Sequence, residues 1–347
     1  MNIKRVLLAT ALIGLAFMAF FAYYVYKAMF MENTAFANNE AFIYVGSDAS
    51  YNDVRAQLEP LLLDLDSFDA LAQKKKYTTN IKAGKYAIRK GMNNNEIINS
   101  IRSKNIPVKV AFNNQHSLEA LAGRIASQIE ADSVSLLTAM KDVSFLETEG
   151  LTEETTLGIY LPNSYEFFWN TSGESFRNRM LKEYTSFWSS QKLNRLKKLG
   201  LSKEEVMILA AIVHEESKQA MEQPRIAGVY MNRLKHGWPL QADPTLKYAA
   251  YQLPEYKNTI IKRVLNKHKE IDSPYNTYLN KGLPPGLIAM PDLSAVNAVL
   301  NYEKHNYFYF AADAGNPGFH KFAKSLNQHN RNAKEYQLYL NNQGIRK

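Results

Sequence analysis

The chain has 347 residues, room for about two domains beyond a targeting segment, and a formal net charge of +9. It has no cysteine, which excludes disulfides and thiolate metal sites without choosing a compartment. Its basic residues fall in short scattered runs (Lys74 to Lys76, Lys197-Lys198, Lys262-Arg263) with no basic-aromatic stripe, so no nucleic-acid partner is expected and attraction to anionic envelope surfaces is the more natural use.

Val6 to Tyr26 carries no charge and would reach about 31 Å as a helix, enough to cross a hydrocarbon core. Lys4 and Arg5 precede it, and Phe20, Phe21, Tyr23, Tyr24 and Tyr26 gather at its far end like an interfacial belt. The expectation is a single-pass anchor with a cytoplasmic tail at 1–5, a transmembrane helix at 6–26 and a polar stalk at 27–40. A cleaved signal peptide is the alternative, since Ala35-Phe36-Ala37 resembles a cleavage site. Against it, the apolar run exceeds the usual ~7–15 residues and the site lies well beyond its end.

Ala41 to Val45 then reads as a strand. Asp48 or Ser50 caps a helix through Val54, Leu58, Leu61 and Leu62. A turn and strand follow around Gly84, and Asn93 or Asn94 starts a helix with Ile97, Ile98 and Ile101. Val108 to Asn113 alternates as a strand, Ser117 caps a helix carrying Leu118, Leu121 and Ile125, and a further helix runs through Leu136, Leu137 and Met140. Core packing is expected for most of the aromatics Tyr160, Tyr165, Phe167, Phe168 and Trp169. Phe176 to Leu199 reads as one long basic helix stopped by Gly200.

Ser202 caps the helix that draws attention. Leu209, Ile212 and Val213 form an apolar stripe that Glu216 interrupts, with Glu215 on its flank and His214 on the far side. A carboxyl held against aliphatic side chains is poorly solvated, so its pKa rises toward the range useful to a proton donor near neutrality. That environment suits a glycosidase-type acid. A second amphipathic helix, Ile226 to Gly237, follows, and then an Asp-Pro pair in which Asp243 is expected to be the N-cap and Pro244 the first helical residue. Beyond it, Ser273 to Leu300 holds a proline-stiffened loop unsuited to helix or central strand, Asn306 to Asp313 is a strand, and Pro317-Gly318 is a turn. His320 and His329 are expected as hydrogen-bonded structural histidines. His214-Glu215-Glu216-Ser217-Lys218 begins like a zinc-peptidase motif but ends in lysine, which removes a ligand.

AAIVHEES and VYMNRLKHGWPLQADPT, with YNTY, GLPPGLIAMP and FHKFAKSLNQHN further on, resemble the YceG-like endolytic murein transglycosylases. The likeness covers nearly everything after the anchor. The family's catalytic glutamate falls on Glu216, its preceding glutamate is His214 here, and Ser217 replaces a threonine. The resemblance implies an α+β fold: an N-terminal transmembrane helix, a small LysM-like βα module over 41–107 and a mixed α+β catalytic domain over 108–347 with a helix-borne glutamate. GKYAIRKGMNNNEIINSI carries the LysM likeness, with glycan tethering and a structural spacer equally open. The implied activity is cleavage of the β-1,4 bond after N-acetylmuramic acid within peptidoglycan glycan strands, leaving 1,6-anhydro ends without cofactor or metal. Gln241, Asp243, Tyr275, Asn276 and Tyr278 are the expected sugar contacts, with the loop from Tyr275 to Pro291 forming a groove wall facing Glu216. The implied location is the cytoplasmic membrane with the catalytic domain outside it, and cell-wall synthases are possible partners. A muramidase-like hydrolase using Asp243, and a non-catalytic glycan-binding scaffold for the synthases, are the rivals.

Overall fold

The computed structural model describes residues 3–256, 259–261 and 263–343; Lys262 of the Lys262-Arg263 run lies outside them, as do residues 1–2 of the expected tail. The chain is a mixed α+β structure with an N-terminal apolar helix and divides into two compact units. The first holds the chain up to Val110 with Ala126–Ala131 and Tyr165–Ser172, and the second holds the remainder.

Helix α1 (Ile3–Phe30) is, among the described residues, the one helix long and apolar enough to cross a membrane. It runs past the expected end at Tyr26, and its last turn belongs to the first unit. Ala28 is buried, its carbonyl accepts from Asn94 Nδ2 at 2.9 Å, and Lys27 pairs with Asp64 at 3.4 Å. The last carbonyls of a helix have no partner within it, so Asn94 satisfies one that would otherwise be orphaned. The following residues do not form a free stalk. Asn33 N–H donates to Met92 O at 3.0 Å, Ala35 N–H to Leu61 O at 2.8 Å, and the Asn33 side chain bonds both Asp64 and Asn94.

Strand β1 (Glu40–Val45) leads to α2 (Tyr51–Leu58), where Ser50 is the cap and forms a reciprocal capping box with Asp53. The helix expected to continue to Leu62 stops at Leu58 because Pro60 cannot extend it; a 3-10 turn at Glu59–Leu61 takes over. Helix α3 (Leu65–Lys74), which the sequence reading did not anticipate, starts on an Asp64 cap. Strand β2 (Gly84–Arg89) lies antiparallel to β1, with Ile43 opposite Tyr86 and Val45 opposite Gly84. Gly84 has φ +147°, and a Cβ there would stand 2.4 Å from the Asn105 side chain, so only glycine fits. Asn93 caps α4 (Asn94–Ser103) with Glu96 reciprocating. Ile43, Val54, Phe68, Tyr86, Ile97 and Ile101 lie at the centre of this unit's core.

Strand β3 (Pro107–Phe112) pairs with β4 (Asn163–Phe168). Between them in the chain come α5 (Leu118–Ala126), α6 (Ser133–Met140), α7 (Val143–Glu149) and the short α8 (Glu153–Thr156). The single basic helix expected over 176–199 is two helices, α9 (Gly173–Phe187) and α10 (Ser190–Leu199). Trp188 turns into the core, Ser189 is extended (ψ 161°), and Lys192 Nζ takes the Phe187 carbonyl left open by the break. Gly200 ends α10 with φ +70°, as expected of a C-terminal glycine.

The second unit is arranged around α11 (Lys203–Glu216), capped by Ser202 with Glu205 reciprocating. It packs against α12 (Gln223–Lys235), α13 (Asp243–Tyr251) and, after the short α14 (Asn266–Lys269), α15 (Leu293–Leu300). Every residue from Val206 to His214 is buried, so the helix is enclosed on all sides rather than amphipathic, and His214, expected on the outer face, is buried too. Full burial of each leucine or isoleucine there contributes roughly 2 kcal/mol. The hairpin of β5 (Tyr309–Ala312) and β6 (His320–Ala323) turns at Pro317-Gly318, and α16 (Leu326–Asn342), capped by Ser325, closes the described chain.

Asn94 joins α1, Asn33 and Ser67 through buried hydrogen bonds of 2.6 to 3.0 Å. Replacing it by alanine strands an amide and a carbonyl away from water, so Asn94→Ala is expected to destabilise the first unit by about 2 kcal/mol, read as a lower denaturant midpoint. An unchanged midpoint would show that the network does not hold the α1 end in place.

Candidate active site

Helix α11 delivers Glu216 as its last residue. Ser217 turns extended (φ −146°, ψ 129°), and the buried Gln223 side chain bonds its carbonyl at 3.0 Å. The Glu216 side chain leaves the packed interior and reaches a cavity of about 440 Å³. Its Oε1 accepts from the Tyr230 hydroxyl at 2.5 Å. Tyr230 comes from α12, is buried, and meets Phe310 edge-on at 5.8 Å. Burial pushes the Glu216 carboxyl up to about 7; the Tyr230 hydrogen bond opposes this, the nearby Asp243 charge adds to it, and His320 and Lys247 pull it down. The negative end of the α11 dipole acts in the same upward direction. The same burial, with the neighbouring Glu216 charge, raises the Tyr230 phenol well above its ordinary value, so it remains a donor.

Asp243 and Tyr278 line the same cavity, joined by a hydrogen bond of 2.7 Å from the tyrosine hydroxyl. Asp243 is the first residue of α13 rather than its cap. Ala242 holds the cap position, and the Asp243 carboxylate is turned to Tyr278 instead of to the helix. Gln241 also reaches the cavity, from a left-handed backbone (φ +52°) that only a few per cent of non-glycine residues adopt. Its N–H is held by Thr277 O at 3.0 Å.

Asn276 is not at the cavity. It is fully buried, its amide donates to Lys269 O and Ile271 O, and its Oδ1 accepts from Tyr278 N–H, so it fixes the loop's path. Thr277 is likewise buried, bonding Ala242 N–H and the Thr245 hydroxyl. Tyr275 packs on Tyr248 at 4.6 Å and lines a different cavity. Of the loop expected to face Glu216, Tyr278 alone arrives, because hydrogen bonds of Asn276 and Thr277 to buried groups hold both side chains inward.

Several cavity residues went unrecognised in the sequence. Tyr230 lies within the amphipathic helix read over Ile226 to Gly237, and it donates the hydrogen bond to Glu216. Arg233, also on α12, is buried; its guanidinium bonds Phe308 O at 2.7 Å, Leu240 O at 2.8 Å and Pro239 O at 3.2 Å. It thereby ties the segment before Gln241 to the entry of β5. Both lie in the VYMNRL segment of the family resemblance, the one signal that could have marked them. His320 lies at the cavity, with Nδ1 2.8 Å from Glu222 Oε2 and its backbone N–H bonded to Glu222 Oε1 at 2.8 Å. His329 stacks on Tyr309 at 5.3 Å, but its Nδ1 has no hydrogen-bond partner, contrary to the expectation of a fully bonded structural histidine. The other carboxylates near Glu216 in sequence are engaged elsewhere: Glu215 bonds Lys218 at 2.8 Å, and Glu222 is buried beneath His320.

A carboxylic acid that keeps a substantial protonated fraction near neutrality, beside a cavity with hydroxyl, carboxylate and imidazole groups, can give a proton to a bound oxygen and take one back. The sequence matches the family model for the YceG-like family over residues 43–335. It is 31% identical to an endolytic murein transglycosylase of Bacillus subtilis (strain 168), over 76% of this chain and 75% of that protein. It is 26% identical to an endolytic murein transglycosylase of Streptococcus pneumoniae serotype 2, over 86% of this chain but 59% of that longer protein. The crystal structure of a yceG-like protein from Listeria monocytogenes matches with a TM-score of 0.57 and 26% identity, covering 85% of this chain and 99% of that one.

The raised carboxyl has a consequence for stability. A group whose folded value, about 7, lies above its ordinary 4.5 gives its full stability below 4.5 and loses it as pH rises to about 7, where the native state must ionise in a poorly solvated place. Glu216→Gln cannot ionise and keeps an oxygen for Tyr230. Its melting temperature is expected to match wild type near pH 4.5 and to exceed it increasingly up to pH 8, by roughly 3 kcal/mol at most. Parallel pH profiles for the two proteins would show that the carboxyl is not held up by burial.

Proposed function

The chain belongs to the YceG-like family, and on that footing we propose that it is a lytic transglycosylase that cuts peptidoglycan glycan strands internally, with Glu216 as its acid and base. Protonated Glu216 donates to the bridging oxygen of the bond after N-acetylmuramic acid, and the C4 hydroxyl of the departing sugar is released. The muramic acid's own C6 hydroxyl then closes on C1, passing its proton to the carboxylate just formed. One bond breaks, one forms, and no water is consumed. The observation that carries this reading is the half-buried Glu216 carboxyl, shifted to about 7 and held by Tyr230 beside an open cavity. Near pH 7 such a group is close to evenly divided between acid and base, which suits a residue that must serve as both.

Gln241, Asp243 and Tyr278 hold the sugar in this reading, while Tyr275 and Asn276 shape the loop behind them. An inverting or retaining hydrolase needs a second carboxylate set across the bond. Asp243 is the other carboxylate at the cavity among the described residues, and its hydrogen bond to Tyr278 supports a role in binding. A scaffold without catalysis has no use for a desolvated acid. The apolar α1 with Lys4 and Arg5 before it supports a single-pass anchor that leaves both units outside the cytoplasm. GKYAIRKGMNNNEIINSI supports a LysM-like, glycan-tethering first module, and cell-wall synthases are natural neighbours for an enzyme acting on new strands at the membrane.

Two measurements check this. Mass spectrometry of purified peptidoglycan after digestion should show 1,6-anhydro ends, abolished in Glu216→Gln and reduced much less in Glu215→Gln; reducing ends would turn the reading to a muramidase, and full turnover in Glu216→Gln would remove the mechanism. Protease added outside spheroplasts should shave both units, and their protection would reverse the topology.

A further inference from the structure

A second cavity of about 910 Å³ in the second unit collects permanent cations from three segments: Arg195 and Lys198 of α10, Lys235 of α12, and Lys304 of the loop after α15. No carboxylate lines it. The one acid among the loop's neighbouring residues, Glu303, is already paired with Arg225 at 2.9 Å. Lys235 is directed by the Tyr302 hydroxyl at 2.7 Å and lies over that ring, and Arg195 is turned to the Asn301 side chain. Lys198 and Lys304 make no hydrogen bond or ion pair among the described residues. The wall is fixed, because a Cβ on Gly228 of α12 would stand 2.3 Å from Glu303 O, so helix and loop are seated directly on each other. Like charges gathered in a concave surface repel, and this is relieved when an anion enters.

We propose that this cavity binds the carboxylates of the peptide stems carried by the glycan strand that the neighbouring cavity cuts, a proposal that rests on the activity inferred above. Three observations select the stem. The cavity is far roomier than a single ion needs, which suits a chain bearing separated charges. Three of its four cations are lysine ammoniums, point charges suited to spaced carboxylates, and the one guanidinium already directs an N–H to Asn301. Finally, the two cavities are lined from the same two stretches of chain: Asn232 lines this one and Arg233 the Glu216 cavity, and Asn306 and Tyr309 divide in the same way. A four-residue stem extends about 13 Å, long enough to leave the cavity that holds its sugar.

The experiment compares glycan strands with intact stems and the same strands stripped by an amidase, using the full-length protein. Lys198→Glu combined with Lys304→Glu, both on the surface and outside the Glu216 cavity, is expected to lower kcat/KM on stemmed strands about tenfold. It should leave stripped strands unchanged, with the circular dichroism spectrum intact. Wild type is expected to prefer stemmed strands, and to lose that preference as salt rises. Equal loss on both substrates, or no loss on either, overturns the proposal. So does wild type that ignores stems yet is inhibited by polyphosphate, which would make the occupant a phosphate polymer. Wild type that cuts neither strand overturns the activity itself, and the proposal with it.

Discussion

The second unit depends on holding one carboxyl group where water serves it poorly. Glu216 ends a helix buried from Val206 to His214, so the chain brings it out of packed aliphatic side chains directly to a cavity wall. Burial alone would leave the group a permanent acid, and solvent alone a permanent carboxylate. The Tyr230 hydroxyl, at 2.5 Å, stabilises the ionised form against the burial, and with the His320 and Lys247 charges leaves the balance at about 7. Packing of α11 and the position of α12 are therefore not separable from the proton chemistry. A shift between these two helices would alter the acid even if every cavity residue were kept.

The rest of the cavity is held by buried side chains that bond the backbone around it. Arg233 binds three carbonyls from two segments, and Thr277 binds the Ala242 amide and the Thr245 hydroxyl. These bonds hold Gln241 in its left-handed conformation and bring Asp243 against Tyr278. The strained residue and the charged one thus rest on buried, satisfied polar groups, the arrangement that keeps a site in shape before a ligand arrives.

Local signals were the most legible. Ser202 caps the helix assigned to it, Ser50 and Asn93 prove to be the caps among the pairs Asp48/Ser50 and Asn93/Asn94, and Gly200 ends α10, because caps act over a single turn. Periodicity located Glu216 but misjudged its helix, since enclosure on all sides depends on α12, α13 and α15, which no window along α11 contains. The run from Phe176 to Leu199 has a continuous apolar stripe, and only the burial of Trp188 breaks it into two helices. Tyr230 and Glu216 stand fourteen residues apart on different helices, so their contact has no signature in spacing. The polar residues of YNTY suggested sugar contacts throughout, yet Asn276 and Thr277 are taken up by buried hydrogen bonds of the loop and leave Tyr278 at the cavity. Family likeness marked that loop as important without separating the two roles.

The seat of α1 carries a mechanical consequence. Its 28 residues make a rod of about 42 Å, of which a bilayer interior takes about 30 Å. The rod ends in hydrogen bonds to Asn94, and the next residues are laced onto α4 and the 3-10 turn instead of hanging as a swivel. Joined in this way, the first unit and the end of the rod move together. A tilt of α1 is therefore passed to that unit as a rotation, and under the anchor proposed above bilayer thickness would act on the first unit through this seat.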